Sequence, residues 1–185
     1  MPRRLPIQIP QSVEEIDAAW LTFAVRSSGL AGEAEVVGFR TGSPGSGVGF
    51  QGQTIRVSLD WNSDELDAPD VVLVKFPTDN VGNRGLAEAE GGYDREFDFY
   101  ERLSADFPVR VPRLIHAARD PGPSLAARRR RERFVDGLPR SVVKFIGRHA
   151  RKFIRATRRR YALVLEYIPD ARITTAQDLP PAEDL

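Results

Sequence analysis

Val71-Val72-Leu73-Val74-Lys75-Phe76 is the stretch that decides the fold. Four consecutive apolar residues, three of them β-branched, predict a strand buried on both faces. Lys75 then closes the run. A buried ammonium is costly unless something partners it, because desolvation disfavours its charged form. Lys75 can reach water from the strand end, or it can meet a carboxylate brought in from elsewhere in the chain.

A candidate carboxylate lies downstream. After a predicted loop rich in glycine and acid, Val81 to Gly92, comes Tyr93-Asp94-Arg95-Glu96-Phe97-Asp98-Phe99-Tyr100-Glu101-Arg102-Leu103. At helical spacing Tyr93, Phe97, Tyr100, Leu103 and Phe107 share one face, and Asp94, Arg95, Asp98, Glu101 and Arg102 the other. Glu96 breaks this division. Its helical angle puts it between Tyr100 and Leu103, a charged residue on the core-facing stripe, and Lys75 is the cation that would suit it. The plainer alternative leaves Glu96 at the stripe's edge, in water.

Upstream, Gly45-Ser46-Gly47-Val48-Gly49-Phe50-Gln51-Gly52 holds a G-x-G-x-x-G at Gly47, Gly49 and Gly52. With 15 glycines in the chain such a spacing arises readily by chance. A dinucleotide fingerprint needs a helix directly after the glycines. Here an alternating strand follows, with Ile55, Val57 and Leu59 on one face. The loop is therefore predicted to join two antiparallel strands, as the phosphate-covering loop of protein kinases does.

Glycine loop, strand lysine and helix glutamate, in that order, resemble the small lobe of the protein-kinase-like fold. The chain is most similar to the aminoglycoside-phosphotransferase-like small-molecule kinases, including the ecdysteroid-kinase-like branch. GSGVGFQGQTIRVSLDW resembles the family's glycine hairpin, VVLVKFP its lysine strand and YDREFDFYERL its helix. VPRLIHAARD and YALVLEYIP resemble its fourth strand and the strand into its hinge. The likeness spans roughly residues 10–120 and 161–179.

The resemblance implies an α+β fold, an antiparallel five-stranded sheet with a packed helix. It also implies a phosphotransferase that uses ATP and Mg2+ to phosphorylate a hydroxyl of a small molecule. Backbone N–H groups around Gly45, Ser46, Gly47, Val48, Gly49 and Gly52 would approach the phosphates. Lys75 would contact the α- and β-phosphates and Glu96 would hold it there, while Glu166, Tyr167 and Ile168 would form the hinge at the adenine edge. In the family the catalytic aspartate and the metal ligands belong to a large lobe. No His-Gly-Asp triplet occurs here, and His149 is followed by Ala150-Arg151. The expectation is a small lobe without its C-terminal partner, inactive by itself. A non-catalytic nucleotide-binding or regulatory module is the alternative.

A length of 185 residues, 41% hydrophobic and 29% charged, suits one soluble domain. The absence of cysteine removes disulfides and thiolate chemistry and fits a reducing cytoplasm. Two histidines, His116 and His149, cannot build a histidine-rich metal site, and a lone strand histidine such as His116 reads as a packed imidazole. No signal-peptide pattern or membrane-length apolar run is visible.

Residues 12–28 are read as a leading helix, opened by a capping box at Ser12 and Glu15, with Val13, Ile16, Trp20 and Phe23 as its buried stripe and Gly29 as its stop. Residues 33–119 hold the glycine hairpin, the lysine strand and the glutamate helix. The expected strands are 33–39, 54–61, 71–76 and, with a proline near its start, 111–118. Residues 161–185 hold the last strand, Tyr161 to Pro169, running into the hinge at Glu166, Tyr167 and Ile168, and then a tail.

Between them, residues 120–160 read as a basic helical insertion. Positions 128–160 carry 14 Lys and Arg against Glu132 and Asp136, a net of +12, while the rest of the chain nets −11. At helical spacing Val142, Ile146, Ala150 and Phe153 oppose Lys144, Arg148, Arg151, Lys152, Arg155, Arg158 and Arg159. The plain reading is a surface helix with solvated arginines. A second reading is attraction of 142–160 to an anionic membrane surface. Nucleic acid ranks below both, because the basic face lacks aromatics to stack bases.

Overall fold

A computed structural model describes residues 8–42, 52–63, 68–122, 127, 130, 133–134, 136–142, 144 and 159–169. The architecture is α+β. Five strands form one antiparallel sheet: β1 (Val36–Gly42), β2 (Gly52–Trp61), β3 (Val71–Pro77), β4 (Leu114–Arg119) and β5 (Tyr161–Glu166), in the order β1-β2-β3-β5-β4. Helix α1 (Ala18–Ser27) covers one face; α2 (Val81–Ala89) and α3 (Gly92–Arg102) lie on the other.

The VVLVKF run is the middle strand of the five, as its composition demands. Alternation sends Val72, Val74 and Phe76 into the α1 layer, with Trp20, Leu21, Ala24 and Val25. Leu73 points the other way, toward Tyr93, Phe97, Tyr161 and Leu163. A strand with a helix layer on each side needs apolar residues at every position, so the continuous hydrophobic run follows.

Local chemistry moved several boundaries. The leading segment makes only a 3-10 turn at Val13–Glu15, and Ser12 gives it no side-chain cap. Asp17 starts α1 instead, its carboxylate accepting from Trp20 N at 2.6 Å. With that start the buried stripe becomes Trp20, Leu21, Thr22, Ala24 and Val25, and Phe23 is exposed. Gly29 ends the helix as expected, with φ +78°.

Strand β1 begins at Val36 rather than at residue 33, after a turn in which Gly32 has φ +50°. Strand β4 begins at Leu114, past Pro112, which has no N–H for a ladder. Strand β5 ends at Glu166 rather than at Pro169. Within the expected loop at 81–92, Val81–Ala89 is a helix. The Asn80 side chain accepts from Asn83 N at 3.0 Å and caps α2, and Gly85 and Ala87 are buried. Gly91, at φ +69°, turns the chain from α2 into α3, a conformation that favours glycine.

Strands β4 and β5 are consecutive neighbours, so everything between them is the connection of one hairpin. That hairpin is closed at the end where the connection leaves it. Asp120 N donates to Arg160 O at 2.9 Å, and Arg160 N donates to the Asp120 carboxylate at 2.7 Å. The 142–160 helix expected within this connection lies outside the described residues except at 142, 144, 159 and 160. Arg159 does not belong to a solvated basic face; it is packed against Asp94.

Candidate functional site

Lys75 and Glu96 form an ion pair. Each element sets one half of it. On β3, alternation turns Lys75 to the same side as Leu73, away from the α1 core. On α3, Tyr93 and Phe97 are buried against the sheet, and Glu96 sits between them at the same turn. Both side chains keep about a third of their surface, 29% for Lys75 and 33% for Glu96. The pair stands at the wall of an opening rather than in a sealed core.

That opening is a cleft of about 620 Å³ bounded by β2, β3, β5 and the start of α3. The register explains the floor: Thr54 of β2 and Leu163 of β5 both lie directly opposite Lys75. Gly52 lies opposite Pro77 at the rim, where a Cβ would sit 3.0 Å from the Phe76 carbonyl oxygen. The contact is with backbone, so no side-chain rotation relieves it, and glycine is what lets β2 run this close. Tyr93, Phe97 and Tyr161 supply an aromatic wall.

The electrostatics vary across the cleft. Burial pushes the Tyr161 phenol up to about 12, despite the Arg159 guanidinium beside it. Tyr93 is raised by burial, and Tyr100 by burial and then by the Glu96 charge. These phenols stay neutral at physiological pH. The cleft therefore offers one ammonium, held by a carboxylate, among neutral aromatic and aliphatic side chains.

The structure brings together Gly52, Lys75 and Glu96 of the sequence-predicted set. Gly45, Ser46, Gly47, Val48 and Gly49 lie outside the described residues, although the strands they join, β1 and β2, pair antiparallel as expected. Glu166, Tyr167 and Ile168 do not line the cleft. Leu163 does, three residues earlier, about 10 Å along the strand. The Glu166 carboxylate accepts from Arg113 N at 3.0 Å and pairs with Arg110 at 3.5 Å, while Tyr167 lies under the Arg56 guanidinium.

Sequence reasoning missed Thr54, Tyr93 as a wall residue, Tyr161 and Asp94. Thr54 was accessible from the alternation of Ile55, Val57 and Leu59, once β2 is set beside β3. Asp94, on the polar face of α3 by periodicity, is 5% exposed, because Arg159 holds both its oxygens, at 3.0 and 3.1 Å. Its partner is 65 residues away in sequence, and no local pattern carries that information.

His116 is a packed imidazole, as expected. Trp20 and Phe23 meet its ring edge-on, and Nδ1 lies 2.7 Å from Ser27 Oγ. Among the described residues no group of three His, Asp or Glu side chains could hold a metal ion, and no helix is long and apolar enough to cross a membrane. No protein-family model, curated protein or solved structure matches this chain.

Proposed function

We propose that the Lys75 cleft holds the phosphates of ATP, and that this chain is the nucleotide-binding lobe of a phosphotransferase acting on a hydroxyl of a small molecule. The observation that carries the reading is the Lys75–Glu96 pair itself, at the wall of a cleft. Phosphoryl transfer is mostly positioning and charge stabilisation, and in protein kinases a lysine on the third strand is held by a glutamate on the following helix. The same two residue types stand here on the third strand and on α3, in a five-stranded antiparallel sheet whose first hairpin carries the glycines.

The residues fit a polyphosphate in charge and in access. Lys75 supplies the cation, and the tight β2–β3 approach at Gly52 keeps side chains off the rim. Leu163 and the aromatic wall offer apolar surface beside it. Magnesium is a different matter. The described residues contain no donor cluster for it, so no metal ligand is assigned and no step is derived through a metal. The proposal covers nucleotide holding and places no catalytic base in this chain.

The test is titration with a fluorescent ATP analogue, with unlabelled ATP and adenosine as competitors. Weak binding is expected, displaced by ATP better than by adenosine and lost in Lys75→Met, with no phosphate transferred to hydroxyl acceptors. Binding that is unchanged in Lys75→Met would overturn the reading. Salt-sensitive binding to anionic vesicles that survives Lys75→Met, with no nucleotide binding, would favour instead a peripheral protein built on the basic run at 128–160.

A further inference from the structure

Asp94 and Glu96 are two residues apart on α3, and they are held by different parts of the molecule. Glu96 meets Lys75 on the middle strand. Asp94 meets Arg159, the residue at which the long β4–β5 connection rejoins the sheet. Arg159 is more than an ion-pair partner. Its guanidinium also donates to Asp120 O at 3.1 Å and lies 4.7 Å from the centre of the Tyr161 ring, and its carbonyl accepts from Arg84 of α2 at 2.7 Å. At the end of β4, Arg119 adds a second anchor. It donates to the Asp94 carbonyl at 3.2 Å and contacts Asp98 at 3.0 Å and Glu101 at 2.9 Å along the outer edge of α3.

We infer that Arg159, with Arg119 beside it, is a positioning residue that fixes the rotation of α3 through Asp94, so that the β4–β5 connection is tied to the Lys75–Glu96 pair. Apolar packing alone does not set this rotation well. Tyr93 and Phe97 are buried, but the C-terminal end of α3 carries Leu103 at 59% exposed. A helix seated on Tyr93, Phe97 and the partly buried Tyr100 can still roll, and a roll of one residue position, about 100°, would carry Glu96 away from β3. Charged hydrogen bonds are directional where apolar contact is not. Three acidic residues on the flank of α3, all engaged by arginines from the base of one hairpin, remove that freedom.

The functional meaning of this coupling rests on the proposed nucleotide site, but the coupling can be read without any nucleotide. The chain has three lysines, Lys75, Lys144 and Lys152. Acylation by a water-soluble succinimidyl ester, followed by peptide mass spectrometry, gives the rate at Lys75 relative to the other two. The Glu96 carboxylate shields the Lys75 amine from the reagent, and Glu96→Gln sets the rate for the released amine. Asp94→Asn keeps the shape of the side chain and removes the charge; it is expected to raise Lys75 labelling about fivefold, as for sites coupled through a shared backbone shift. Amide exchange in β2, β3 and β5 is expected to stay as in the parent chain.

Labelling at the parent rate in a folded Asp94→Asn chain would overturn the inference. Should Asp94→Asn fail to fold, Arg119→Gln leaves the Arg159–Asp94 pair in place. Its expected rise is about twofold, in line with a partly exposed pair, and no rise would overturn the inference equally. A parent chain that binds no ATP analogue would sink the nucleotide reading and leave the labelling result intact, so the two can fail separately.

Discussion

The two faces of the sheet are covered by different physics. On the α1 side, Leu21, Ala24 and Val25 meet Val57, Val72, Val74 and Val164, all fully buried and all aliphatic. On the α3 side, Tyr93 and Phe97 meet Tyr161 and Leu163, but the layer is stitched by Lys75–Glu96, Asp94–Arg159 and the contacts of Arg119. Apolar burial is strong and tolerant of angle. Ion pairs add little net stability after desolvation, and they fix orientation. The contrast teaches where to look for function: one face keeps the sheet folded, and the other holds charges at set positions around a cleft.

The first way to break this comparison is Leu21→Ala. Truncating a fully buried leucine on the aliphatic face is expected to cost about 2–5 kcal/mol. Denaturant unfolding would measure it, and Lys75 labelling in the folded chain should not move. A loss below that of Lys75→Met would mean the faces have been assigned the wrong way round.

His116 tests the same face by pH. Burial holds its imidazole below the ordinary histidine value, with the Trp20 and Phe23 rings against it. Its neutral form is favoured in the folded chain, so the unfolded chain binds the proton first. The contribution is fully present above the unfolded value of about 6.5 and is lost as pH falls below it, at about 1.4 kcal/mol for each unit of depression. The expected result is a drop in melting temperature from pH 7 to pH 5 that His116→Gln flattens. An equal drop in both chains would assign the acid sensitivity to carboxylates.

Lys75→Met should show the reverse profile to Leu21→Ala. The pair is about a third exposed and partly screened, so its removal is expected to change stability by less than about 1 kcal/mol, of either sign. Nucleotide-analogue binding should disappear. A loss of several kcal/mol would show that Lys75 is a structural cation. The smallest effect is expected at Arg40→Gln. This removes a pair with Asp60 in which the arginine is 72% exposed, and it should leave stability within about 0.5 kcal/mol.

Much of this was legible where the signal is local. A run of four apolar residues, three of them β-branched, predicts a strand covered on both sides, and Glu96 stands out as a charge on an apolar stripe. Gly29 ended its helix for a reason visible in one residue. The failures share a cause too. Two glycines in VGNRGLAEA read as a loop, but Asn80 caps it and packing keeps it helical. Leu103 and Phe107 continued the α3 stripe in sequence, yet the helix ends at Arg102 and both are exposed. Asp94 and Arg159 each read as surface charge in sequence, because the partners that bury them are distant in the chain. Periodicity reports which face a residue occupies and is silent on what arrives there from a distant part of the chain.

The closure at Asp120 and Arg160 has a further consequence, for how the two strands keep their register. The two strands are latched where the connection begins by residues that belong to the hairpin itself. The entropy of closing a flexible loop grows only with the logarithm of its length, about 0.6 kcal/mol for each doubling. A hairpin closed in this way is expected to keep its register as long as the two latch residues and Arg159 remain. The latch, rather than the length of chain it closes, sets how the two strands meet.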